Sequence, residues 1–200
     1  PKGNLGGHMI ACDIAIVGGG IIGCAIAREL SRYSPQTLVV EAANDIACGT
    51  TKANGGLIHS GYDPAPGTIK SKVNARGNKL YSAWSKELGF EFKRTGSMVL
   101  AFTQSDCAHL QTLLENGQAN GVDGLEIIGP KRIHELEPQA SPNAIQALYC
   151  PHTGIVDPFE VAIAAAENAA ANGVEFLLNA PVRSIEQQND SFILHTPKGD

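Results

Sequence analysis

Ile14-Ala15-Ile16-Val17-Gly18-Gly19-Gly20-Ile21-Ile22-Gly23 is the stretch that decides the fold. Its first four residues form an apolar run suited to a strand buried on both faces, and consecutive glycines close it abruptly. The period then changes: Ile22, Ala25, Ile26 and Leu30 recur at helical spacing, and Pro35 stands where a helix could not continue. Leu38, Val39 and Val40 make a second apolar run. Asp13 to Glu41 thus reads as strand, helix and parallel strand, joined by a right-handed crossover.

Gly18, Gly20 and Gly23 give the pattern G-x-G-x-x-G directly after the strand, and Glu41 ends the next one. In a dinucleotide site of this form Gly18 permits the tight turn, Gly20 lets a pyrophosphate approach the backbone, and Gly23 lets the helix pack closely on the sheet. Unpaired N–H groups and the positive end of the helix dipole favour the phosphate charge. Glu41 is placed to accept hydrogen bonds from the adenosine ribose hydroxyls, and its charge disfavours a 2′-phosphate. The triplet alone is compatible with a packing turn; strand, helix and Glu41 together argue for a nucleotide. NAD and FAD both present an ADP moiety, so the pattern leaves them open.

The 200 residues, 43% hydrophobic and 18% charged, suit one globular domain or a little more and exclude a disordered chain. A formal net charge of -5 supplies no basic stripe, which argues against nucleic acid as a partner. The longest uncharged N-terminal stretch, Ile14 to Ala27, is shorter than the roughly 20 apolar residues a membrane span needs, and its glycines spoil it as a signal peptide. Five cysteines, an odd number with no CxxC pair, fit neither a disulfide framework nor a zinc site. A reducing, cytoplasmic setting and no metal are therefore expected. Pro1 to His8 has no periodicity and reads as a tag-like remnant, with the native chain beginning at Met9.

Farther along, Ile69, Val73, Leu80, Trp84 and Leu88 have near-helical spacing interrupted by Gly77, and Phe90 to Phe102 reads as one or two strands divided at Gly96. Leu110, Leu113 and Leu114 suggest a helix ended near Gly117 or Gly121. Asp157, Pro158 and Glu160 predict an N-cap, a first-turn proline and a first-turn carboxylate for a helix to Ala171, stopped at Asn172-Gly173 and followed by a strand over Val174 to Leu178. Ser191 to His195 reads as a strand and Pro197 to Asp200 as a hairpin turn without a return strand, the mark of a truncated chain.

Beyond Glu41 and Ala42 comes Gly49-Thr50-Thr51-Lys52-Ala53-Asn54-Gly55-Gly56-Leu57-Ile58-His59. Thr50 and Thr51 carry hydroxyls that can reach phosphate oxygens, and the glycine pair before Leu57 makes a small turn whose amides can lie against a planar ring. A second signature runs through Gly154-Ile155-Val156-Asp157-Pro158, an alanine-rich helix, Gly173-Val174 and Val182. Together these resemble the D-amino-acid-oxidase-like family of FAD-dependent oxidoreductases, over almost the whole chain from Met9. The resemblance implies an α/β fold: a Rossmann-like FAD-binding domain from residues 9–64 and 151–200, with part of an α+β substrate domain, 65–150, inserted. It implies FAD as cofactor, held by Gly18, Gly20, Ile22, Gly23, Glu41, Ala42, Thr50, Thr51, Asn54, Gly55, Gly56 and Leu57, with the Val182 backbone on the adenine. The implied reaction is hydride transfer to flavin N5 from a carbon bearing a hydroxyl or amine, with reoxidation by oxygen, a quinone or a protein acceptor.

Within the family, Leu57-Ile58-His59-Ser60-Gly61 and Phe92-Lys93-Arg94-Thr95-Gly96-Ser97 resemble FAD-dependent glycerol-3-phosphate dehydrogenases and oxidases. Asn54 to His59 with Pro66-Gly67-Thr68-Ile69-Lys70 resembles L-2-hydroxyglutarate dehydrogenases equally well. Glycerol-3-phosphate enzymes typically place an arginine-tyrosine pair after this turn, where Tyr62-Asp63-Pro64 stands here. An NAD-dependent dehydrogenase, and a cofactor-binding fragment without activity, are the competing classes.

His59 is the candidate general base, since an imidazole titrates near neutrality; the alternative is a histidine that only orients its turn. Tyr62 reads as a partly buried tyrosine with a paired hydroxyl, and Cys24 and Cys48 as small packed residues. His109, His134, His152 and His195 read as surface or satisfied histidines, and Lys52 and Arg76 as solvated charges.

Overall fold

The computed structural model describes residues 9–199. The tag-like segment 1–8 and Asp200 lie outside the described residues. Along the chain run β1 (Ile14–Val17), α1 (Ile21–Leu30), β2 (Thr37–Val40), β3 (Leu57–Ile58), α2 (Ile69–Leu88), β4 (Phe92–Lys93), β5 (Ser97–Ala101) and α3 (Gln104–Ala119). They are followed by β6 (Glu126–Ile128), α4 (Pro130–Leu136), β7 (Gln146–Cys150), β8 (Gly154–Val156), α5 (Pro158–Ala171), β9 (Glu175–Leu177), β10 (Ser184–Gln188) and β11 (Ser191–His195). Two compact units result: one takes the chain up to Gly55 and again from Asp157, the other is Gly56–Val156. The sequence expectation drew these limits at 64/65 and 150/151. The difference comes from β3, β8 and β4, which pair with one another as a small antiparallel sheet and so carry both flanks of the insertion into the second unit.

In the first unit three parallel strands lie in the order β1-β2-β9, with Ile14 opposite Thr37, Val17 opposite Val40, and Val40 opposite Leu177. One sheet face is sealed by α1 and α5 through Ile16, Ala27, Val39, Ala169 and Val174. Alanines on α5 keep this contact close, and Asp157 caps the helix by accepting from the Phe159 and Glu160 amides at 2.8 and 3.4 Å. On the other face Leu38, Val40 and Ala180 pack with Leu177, Val182 and Leu194, the last from the β10-β11 hairpin. β2 is buried throughout, but β1 is not buried on both faces as its composition suggested: Val17 is 57% exposed. A cavity of about 770 Å³ lies along this side, lined by Val17, Val40, Ile185 and Phe192 among others.

β11 pairs with an upstream strand, β10, with Ser184 opposite His195 and Gln188 opposite Ser191. Ser184-Ile185-Glu186-Gln187-Gln188 has one apolar residue and is exposed along its length, so no hydrophobic pattern announced it. Within the described residues the chain then closes a tight turn by a bridge between Thr196 and Gly199.

The second unit holds the sheets β3-β8-β4 and β5-β7-β6, both antiparallel. α3 packs Leu110 and Leu113 against Ala101 and Leu148, while Ile133 of α4 joins Ile128, Ala144 and Ala147. α2 runs unbroken through Gly77, where an added Cβ would meet nothing. α3 ends at Ala119, between Gly117 and Gly121 as expected, and the missing side chain of Gly117 makes room for Leu125 and Tyr62. Gly96, at φ +71°, does divide β4 from β5.

Candidate functional site

The glycine turn between β1 and α1 is built as a cradle. Gly18 has φ +106°, a left-handed conformation unfavourable to any residue with a Cβ, and its amide closes the turn on the Val40 carbonyl at 2.9 Å. A Cβ on Gly23 would run into the Gly18 carbonyl, and one on Gly20 would stand 3.1 Å from Thr51 Oγ1. Gly20 caps α1 with no side chain, and the first turn of α1 carries no acidic residue. No carboxylate of α1 itself therefore competes for its first amides, which favours an anion at the helix start.

Glu41 is anchored from below. Its Oε2 accepts the Gly19 amide at 2.5 Å and its Oε1 accepts the Ala43 amide at 2.7 Å. Each carboxylate oxygen keeps lone-pair capacity beyond one such bond, which is what two adjacent ribose hydroxyls need. The neighbouring backbone is held in turn by Asn179 N–H on the Ala43 carbonyl at 2.7 Å and Ala180 N–H on the Glu41 carbonyl at 2.9 Å. Val182 follows, half-buried with its side chain packed beside Leu38, Val40 and Ala180.

The two threonines occupy different places. Thr50 is exposed, whereas Thr51 is buried and its Oγ1 accepts the Ile21 amide at 3.0 Å. Thr51 thus supplies from thirty residues away the cap that Gly20 cannot. Asn54 staples the same loop by donating to the Thr51 carbonyl at 2.6 Å. Ile22 is 72% exposed on the outer side of α1, Ala42 is exposed, and a Cβ on Gly55 would meet nothing within 4 Å. The first unit therefore brings together Gly18, Gly20, Gly23, Glu41 and Thr51. The amides of Gly19, Ile21 and Ala43 complete the arrangement, and residue type gives no signal for a backbone amide.

In the second unit Gly56, at φ +65°, accepts the Val156 amide on its carbonyl, and Leu57 pairs with Ile155. His59 is exposed just past β3. A small cavity of about 160 Å³ beside it is lined by Tyr62, Asp63, Lys70 and Asn74. Tyr62 has its hydroxyl 3.4 Å from Ser97 Oγ and its ring against the Leu110 cluster, the paired and packed state expected of it.

Cys24 is fully buried, and its thiol donates to the Gly19 carbonyl at 3.4 Å. Burial first, and the nearby Glu41 charge second, push its pKa up to about 11. It is held as a neutral thiol beneath the turn. Cys48 is half-buried, while Lys52 and Arg76 are exposed.

A model of the FAD dependent oxidoreductase family, DAO, matches residues 13–200. The chain belongs to this family. FAD is thus the cofactor of the family whose turn and acidic residue are described above, and NAD is set aside as the nucleotide. Among relatives of this FAD dependent oxidoreductase chain is a glycerol 3-phosphate dehydrogenase of Caloramator mitchellensis, 45% identical over 186 residues that make up 93% of this chain and 39% of that protein. The human mitochondrial L-2-hydroxyglutarate dehydrogenase is 38% identical over 181 residues, 90% of this chain and 39% of that one. A solved structure, dithionite-reduced L-alpha-glycerophosphate oxidase from Mycoplasma pneumoniae with FAD bound, superposes with a TM-score of 0.91 at 32% identity, covering 94% of this chain and 50% of that one. The chain spans between two fifths and one half of the length of these relatives. Among the described residues no helix is long and apolar enough to cross a membrane, and no cluster of three or more histidine, cysteine or acidic residues could hold a metal ion.

Proposed function

We propose that the protein oxidises a small hydroxy compound with FAD as the cofactor, glycerol 3-phosphate being the first candidate substrate. The observation that carries this reading is the anchored Glu41 beside a helix whose N-cap, Gly20, has no side chain, in a chain 45% identical to a glycerol 3-phosphate dehydrogenase. Glu41 holds the ribose, the start of α1 takes the diphosphate charge, and Thr51 keeps the Ile21 amide in register. Bound FAD supplies the acceptor for a hydride. His59 takes the hydroxyl proton as the carbon bearing that hydroxyl becomes a carbonyl; its exposed imidazole beside a small cavity is suited to that task. L-2-hydroxyglutarate is the second candidate, favoured by Tyr62-Asp63 where glycerol-3-phosphate enzymes carry an arginine-tyrosine pair, and by the 38% identity to the human enzyme. The electron acceptor is oxygen, a quinone or a protein, and we place the protein in the cytoplasm.

The test is an absorbance spectrum of the full-length protein from about 300 to 550 nm, followed by anaerobic addition of each substrate. A flavin spectrum bleached by glycerol 3-phosphate at lower concentration than by L-2-hydroxyglutarate is the expected result. Bleaching by L-2-hydroxyglutarate alone assigns the second substrate, and a colourless protein that takes up no added FAD overturns both.

A further inference from the structure

The turn that carries His59 is held by a side chain that nothing in its local sequence announces. Asn78 lies midway along α2, is only 5% exposed, and is a poor helix former at a buried position. Its Nδ2 faces three backbone carbonyls: Ile58 at 3.3 Å, His59 at 3.2 Å and His152 at 3.0 Å. β3 ends at Ile58, so the His59 carbonyl lies past the strand and is met by Asn78 instead.

The other end of the amide is fixed by Arg94. Its Nη1 donates to Asn78 Oδ1 at 3.0 Å and to the His152 carbonyl at 2.5 Å, and its Nη2 donates to the Asn78 carbonyl at 3.3 Å and to Ser82 Oγ at 3.0 Å. The guanidinium also lies 5.0 Å from the centre of the Phe92 ring. A cation on Oδ1 forces the amide nitrogen toward the carbonyls, so the orientation of Asn78 is determined by charge and not by shape alone. α2, the end of β3, the turn before β8 and the residue after β4 are thereby tied at one point.

We infer that Asn78, braced by Arg94, is a positioning residue for His59, an inference that rests on the reading of His59 as the proton acceptor. Displacing a base by about 1 Å can cost up to about a hundredfold in rate without altering the base itself. Asn78→Asp keeps the shape and the Arg94 contact but opposes three carbonyls with an oxygen. Arg94→Lys keeps the charge and removes the fork.

The experiment measures kcat, KM and amide exchange over residues 57–60 in the full-length holoenzyme, using whichever of the two substrates bleaches the flavin. His59→Gln comes first: a loss of about a hundredfold or more in kcat is expected of a removed base, and an unchanged kcat overturns the base reading on which the inference stands. With that loss established, Asn78→Asp is expected to lower kcat about tenfold with KM changed less than about twofold, to speed exchange over 57–60, and to cost nothing further in the His59→Gln background. Arg94→Lys is expected to show the same pattern at about threefold, and it carries the test alone where Asn78→Asp does not fold. The inference is overturned if the substitutions leave kcat and exchange unchanged. It is equally overturned if they lower kcat by the same factor with His59 absent, since the bonds would then serve only the stability of the unit.

Discussion

Glu41 has its carboxylate fixed from two sides. Its anchors on Gly19 and Ala43 set its rotamer, so that under the proposed function ribose hydroxyls would meet an acceptor already in place. Hydrogen bonds to charged groups contribute about 1.5–3 kcal/mol, so Glu41→Gln, which turns a donor toward the Gly19 amide and removes the charge, is expected to raise the Kd for FAD roughly tenfold or more. Quenching of FAD fluorescence during titration of apoprotein measures this, and an unchanged Kd would show that the carboxylate serves only the turn. The acid itself was legible from its place at the end of the second strand. Its backbone anchors were not, because they depend on a loop closing back at a separation the sequence pattern does not encode.

At the scale of elements, the clearest local signals became the most regular pieces. α5 begins at Pro158 and ends at Ala171 as its cap, first-turn proline and Asn172-Gly173 stop required. Asp157→Ala removes both amide contacts and is expected to destabilise the protein by about 1 kcal/mol, read as a lowered urea midpoint with unchanged slope. A change of slope would show that the helix shapes the denatured state instead. α1 is the opposite case. It is legible from its period, yet its cap comes from Thr51, whose hydroxyl accepts the Ile21 amide and keeps its own proton to donate; a hydroxyl in a loop does not reveal in sequence that it serves a helix end. The short strands β3, β4 and β8 were equally hidden, since two or three residues have no period and exist as strands only through partners such as Leu57 with Ile155.

For the whole molecule, buried ionisable groups set the response to alkali. Cys24 has its folded pKa raised to about 11 from an ordinary 9.0, and burial also raises Tyr81, which packs among Trp84, Phe90 and Phe92. A raised folded pKa means the native state holds its proton more tightly. The stability this gives is fully present below about pH 9 and is lost as pH rises toward about 11, a loss of roughly 2–3 kcal/mol for Cys24. Urea unfolding between about pH 8 and 11 is expected to show this decline, shallower in Cys24→Ala, and identical slopes in the two proteins would remove Cys24 as its cause.

By itself the sequence determined the strand-helix-strand start, the glycine turn with its acid, the α5 boundaries and the family, because each rests on spacing within a few turns of chain or on motif identity. Only the tertiary structure decided where the two units divide, that Thr51 caps α1, that β10 is the partner of β11, and that Asn78 and Arg94 hold the His59 turn. Those outcomes depend on which distant backbone amides and carbonyls are left without partners once the apolar faces have packed, and an unsatisfied buried group is met by whatever side chain the fold brings to it.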